Sequence, residues 1–71
     1  MDAEAVRAML RAECEKAGSM LLFSMANDMT YECVRATLKG LSEPGPKILR
    51  ALKLKRTQSY IYSVDEKANV R

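Results

Sequence analysis

Between Thr30 and Arg56 the chain sets Arg35, Lys39, Lys47, Arg50, Lys53, Lys55 and Arg56 against only Glu32 and Glu43, a net charge of +5. Residues 1–29 carry −2 and residues 57–71 balance, so the chain total of +3 hides how uneven the charge is. Cationic side chains gathered in one segment point to an anionic partner. Other chemistry is poorly served. There is no histidine, no glycine-rich phosphate loop, and no pair of acids spaced for proton transfer, so no enzyme is expected. Two cysteines without histidine cannot complete a four-ligand zinc site. No metal, cofactor or small-molecule substrate is therefore expected. Cys14 and Cys33 are expected to stay reduced and to act as small apolar residues.

The elements that must carry these side chains are legible in the periodicity. Seventy-one residues make one small domain with a marginal core. A hydrophobic content of 48% with 30% charged residues suits a soluble globular fold rather than a membrane protein. The longest nearly apolar run, residues 20–26, is far below the roughly 20 residues that a membrane span needs. The acidic start, with Asp2 and Glu4, is unlike a secretory leader. A cytoplasmic location is expected.

Val6, Met9, Leu10, Cys14 and Ala17 recur at helical spacing and predict a first helix over residues 2–17, ended by Gly18. Ser19 is placed to cap a second helix, Met20 to Asn27, whose apolar residues on most faces predict extensive burial. The string "FSMANDMTYECV" then breaks at Asn27-Asp28 and restarts after Thr30. Asn and Asp tolerate turn geometry, Met29 anchors the bend, and Thr30 caps a third helix running to about Lys39. Gly40 ends it. Gly45 and Pro46 start a fourth helix with Ile48, Leu49 and Leu52 inward, and Leu54 closes the core. "SYIYSV", Ser59–Val64, alternates in period two and reads as one strand. A lone strand leaves its backbone groups unpaired, and no second convincing strand is visible. Pairing with the same strand of another chain is the expected solution. A polar tail, residues 65–71, follows.

The fold class expected is mainly α, with four to five helices and a short C-terminal strand. Counting Met20 as the first position, a small residue (Ser24) stands fifth, an apolar one (Met29) tenth and a branched one (Val34) fifteenth. "LKG" at residues 38–40 and "EPGPKILRAL" at residues 43–52 follow in order. In these features residues 3–56 resemble the Cro/phage-repressor-like helix-turn-helix family, also called XRE-type. The family often has Gln where this chain has Met20 and Gly where it has Asp28.

The resemblance implies a sequence-specific transcriptional regulator, a Cro-like phage or prophage repressor. Residues 1–58 would be the DNA-binding domain, and residues 59–64 a dimerisation strand. It places Thr30, Tyr31, Glu32, Arg35 and Ala36 toward the bases. Arg35 is the leading base reader, because its fork matches the O6/N7 edge of guanine. Ser19, Met20, Lys39 and Lys47 would contact phosphates. Tyr60, Ile61, Tyr62 and Val64 would join two chains into a homodimer, doubling a readout that one helix keeps to a few base pairs. Two alternatives stand beside this: an antitoxin-type autoregulator, and a helix-turn-helix scaffold used for protein–protein binding.

Overall fold

A computed structural model describes residues 1–58 and 61–64. Among them are four helices, α1 (Ala3–Ala17), α2 (Met20–Ala26), α3 (Tyr31–Leu38) and α4 (Pro46–Ala51), followed by the strands β1 (Leu54–Gln58) and β2 (Ile61–Val64). No helix among these residues is long and apolar enough to cross a membrane.

Local chemistry accounts for each helix boundary. Asp2 caps α1 by accepting from the Ala5 amide at 2.9 Å. Val6, Leu10 and Cys14, one turn apart, form its buried stripe. Gly18 ends it at φ 112°, a conformation that other residues rarely adopt. Ser19 caps α2 through Leu22 N–H, and Thr30 caps α3 through Cys33 N–H. The end of α3 closes with two bonds, Gly40 N–H to Thr37 C=O and Leu41 N–H to Ala36 C=O, with Gly40 at φ 78°. Pro46 opens α4 behind Gly45, where the missing N–H costs nothing.

The core takes side chains from every element. Val6, Leu10 and Cys14 of α1, Phe23 of α2, Val34 of α3, and Ile48 and Leu49 of α4 meet Leu52, Leu54 and Tyr62. Leu54 closes the core as expected. The second helix departs from expectation: only Phe23 and Ser24 are buried, while Leu21, Leu22 and Met25 are exposed, Met25 by 68%. A helix of seven residues turns fewer than two times. Packed against α1 and α3, it buries one flank, and a domain this small has nothing left to cover the other.

The larger correction concerns the strand, which has a partner in its own chain. Lys53 at φ 60° turns the chain out of α4, and β1 runs antiparallel to β2. The register pairs Leu54 with Val64, Lys55 with Ser63, Arg56 with Tyr62 and Gln58 with Ile61, with an irregularity between Arg56 and Gln58. On its other side, Tyr62 N–H donates to the Met1 carbonyl at 2.8 Å, and the Met1 ammonium donates to the Tyr62 carbonyl at 2.7 Å. Strand β2 thus has β1 along one edge and Met1 against the other, where both backbone groups of Tyr62 are bonded.

Tyr62 itself was expected at a dimer contact, yet it is 0% exposed and is the largest fully buried side chain. Arg56, its cross-strand neighbour, holds its guanidinium 6.0 Å from the ring centre and pairs with Glu43 at 3.2 Å. Tyr60 and residues 65–71 lie outside the described residues.

The Tyr62 hydroxyl is buried and has no hydrogen-bond partner among the described residues. The ring, not the hydroxyl, therefore stabilises the fold. In urea titration Tyr62→Phe should match the native chain or exceed it by up to about 1 kcal/mol. Tyr62→Ala should cost about 3–5 kcal/mol. A clear loss on Tyr62→Phe would mean that the hydroxyl is bonded.

Candidate nucleic-acid interface

The bend between α2 and α3 is held from within the chain. Asn27 donates its side-chain amide to the Phe23 carbonyl at 2.9 Å, and Met29 N–H donates to Ser24 C=O at 2.9 Å. Asp28 takes the left-handed conformation at φ 55°, which Asp tolerates better than most residues do. Lys47 reaches from α4 to the Asp28 carbonyl at 3.4 Å, a long contact across the bend. Ser24 is 1% exposed, and its hydroxyl folds back to donate to Leu21 C=O at 2.7 Å. Val34 is fully buried and Met29 packs against the core.

With Val34 and Thr37 inward, the other residues of α3 are turned toward solvent to differing degrees. Tyr31 and Glu32 are exposed, Arg35 and Ala36 are half-buried, and Lys39, just past the helix, is exposed. Arg35 lies 3.5 Å from Glu32, one turn earlier. Exposed pairs at this spacing contribute about 0.2–0.5 kcal/mol, so the guanidinium exchanges partners at little cost. Thr30 is exposed, but its hydroxyl oxygen already accepts the Cys33 amide. Ser19 is committed in the same way to Leu22 N–H. Both hydroxyls keep a hydrogen to donate to an acceptor.

Tertiary structure gathers most of the expected residues into two places, while Glu32 and Ala36 border neither. Ser19, Met20, Tyr31, Arg35 and Lys39 border one open cavity of about 550 Å³ between α1, the start of α2, and α3. Thr30 and Lys47 border a second cleft, beside Met25, Asp28 and Met29. The first set runs along α3 from Tyr31 to Lys39, and the second meets the helix at its N-cap, Thr30. Of the residues expected to join two chains, Ile61 and Val64 are exposed at 43% and 51%. They do not share the interior position of Tyr62.

Two cations to which the sequence gives no DNA role also border cavities. Arg11, from α1, borders the first cavity. Arg50, from α4, borders a groove with Asn27, Asp28 and Lys47. Arg11 sits one helical turn after Arg7, and that spacing is the one sequence signal it carried. Arg7 is otherwise occupied, donating to the Thr37 carbonyl at 3.0 Å and to Glu4 at 2.8 Å, which ties α1 to the end of α3.

Cys14 forms part of the cavity floor. Burial raises the pKa of its thiol, and the neighbouring Glu13 carboxylate adds to the effect, so Cys14 stays a neutral apolar group. Both cysteines are free. No group of three or more acids, cysteines or histidines among the described residues is placed to hold a metal ion.

Comparison of this chain with protein-family models, with curated proteins and with solved structures finds no match.

Proposed function

We propose that this chain is a sequence-specific regulator that binds double-stranded DNA through a helix-turn-helix formed by α2 and α3, acting as a Cro-like repressor. The observation that carries the reading is the bend. Buried Ser24, packed Met29 and buried Val34 stand five and five residues apart, on a turn that holds Asp28 left-handed. Such an arrangement lets two short helices pack closely while one keeps a free face. That free face carries Arg35 on α3 and Lys39 just past its end, with Lys47 of α4 beside the bend.

In this reading α3 enters the major groove, and Arg35 leaves Glu32 to grip a guanine edge. Tyr31, Glu32 and Ala36 line the neighbouring bases, with Thr30 at the helix start. Ser19, Met20, Lys39 and Lys47 hold the flanking backbone. Glu32 accepts from cytosine or repels phosphate, and in either case it helps set register.

Recognition by one helix discriminates too little, about 1–3 kcal/mol per bidentate contact, so we place the chain in a homodimer. Because β2 pairs with β1 and with Met1, the dimer contact in this reading rests on the exposed side chain of Ile61, while Val64, also exposed, lies on the opposite face of the strand. A second reading, a helix-turn-helix scaffold that binds another protein, draws on a different observation. Leu21, Leu22 and Met25 form an exposed apolar surface on α2, and Asp28 and Glu32 put negative charge near the expected DNA face.

Two mutations test the division of labour on DNA. Arg35→Ala should lose discrimination at one base pair by about 1–3 kcal/mol, whereas Lys39→Ala should weaken all duplexes alike and reduce the salt slope by about 1. Equal losses of Arg35→Ala on matched and mismatched duplexes would remove its role as a base reader. For the dimer, Ile61→Asp should sediment as a monomer with unchanged helical circular dichroism. A dimer that survives this change would move the interface elsewhere.

A further inference from the structure

The cavity between α1, α2 and α3 combines two features that DNA phosphates alone do not require. Its floor is apolar, with buried Cys14 and half-buried Met20 and Leu38, and the ring of Tyr31 forms one wall. Its rim is cationic, with Arg11, Arg35 and Lys39 against the single carboxylate of Glu15. Arg11 and Lys39 make no ion pair among the described residues, and Arg35 has only its 3.5 Å contact with Glu32. At about 550 Å³ the space falls within the range of small-molecule pockets.

We propose that this cavity binds a small amphiphilic anion, a carboxylate or sulfonate on an aromatic or branched apolar body, and that its occupation excludes DNA. The apolar body displaces water from the floor, which contributes the hydrophobic part of binding. The anionic head meets the rim cations, of which Arg35 offers a planar fork that matches a carboxylate. A simple inorganic ion gains nothing from the floor, and a neutral apolar molecule gains nothing from the rim. Exclusion of DNA rests on the function proposed above, since Ser19, Met20, Tyr31, Arg35 and Lys39 belong to both surfaces. Binding of the anion does not depend on it. A ligand that occupied Arg35 would then act as an inducer, releasing the regulator from its operator.

The test uses anilinonaphthalene sulfonate as probe, titrated into the folded, DNA-free chain. Fluorescence and amide NMR shifts are followed together. One saturable site is expected, with the largest shifts at Gly18, Ser19, Leu38 and Lys39. Arg11→Glu should weaken the probe about tenfold or more, the effect of losing one charge-assisted contact and placing a like charge beside the anion, with unchanged circular dichroism. Inorganic sulfate at equal concentration should leave the probe in place, and a tightly bound duplex should expel it.

Unsaturable binding, shifts centred on Leu21, Leu22 and Met25, or displacement by sulfate would overturn the site. A duplex that binds while the probe stays seated would overturn the exclusion. A chain that takes up the probe at the mapped residues yet binds no duplex would refute the DNA reading and leave the anion site standing.

Discussion

The bend at Asn27-Asp28 governs everything that α3 can do. The chain turns there within four residues, from the end of α2 at Ala26 to the start of α3 at Tyr31. The backbone of that turn is bonded locally. The Asn27 side chain bonds to the Phe23 carbonyl, Met29 N–H bonds to Ser24 C=O, and Asp28 takes the one left-handed position. Ser24 removes side-chain bulk where the helices approach and still satisfies its own hydroxyl. A larger residue there would push α2 away and turn the outer face of α3. The orientation of Tyr31, Arg35 and Lys39 thus depends on a buried serine outside α3.

The hairpin solves a different problem. A chain of 71 residues has few apolar side chains to spare for a core, and four short helices leave one side open. Leu54 and Tyr62 fill it from β1 and β2, and Met1 bonds to the far edge of β2. The other edge of the hairpin carries Lys55, Arg56 and Thr57, all exposed. Charge along a strand edge discourages pairing with other strands.

Much of this could be read from residue types because it rests on local chemistry. Ser19, Thr30, Gly18, Gly40 and the Gly45-Pro46 pair each mark a helix boundary for a reason that acts within a few residues. What escaped depends on distant contacts. "LKRTQ" is charged and polar enough to pass for the end of a helix, and becomes a strand only because β2 lies beside it. Period-two alternation in β2 separates two faces without saying which turns inward, so Tyr62 and Ile61 look alike in the sequence. In α2, apolar residues on every face conceal which flank the domain can cover. Arg11 joins the cavity through the packing of α1 on α3, which its one-turn spacing from Arg7 does not specify.

The central claim is that α3 reads DNA in a two-fold arrangement. It is tested most directly by selecting tight-binding duplexes from a random pool at near-physiological salt, with protein shown to be folded by circular dichroism. An enriched inverted repeat, with half-sites about 34 Å or one helical turn apart, is the predicted result. Survivors with no shared sequence would contradict it, and the exposed apolar face of α2 would then direct attention to a protein partner.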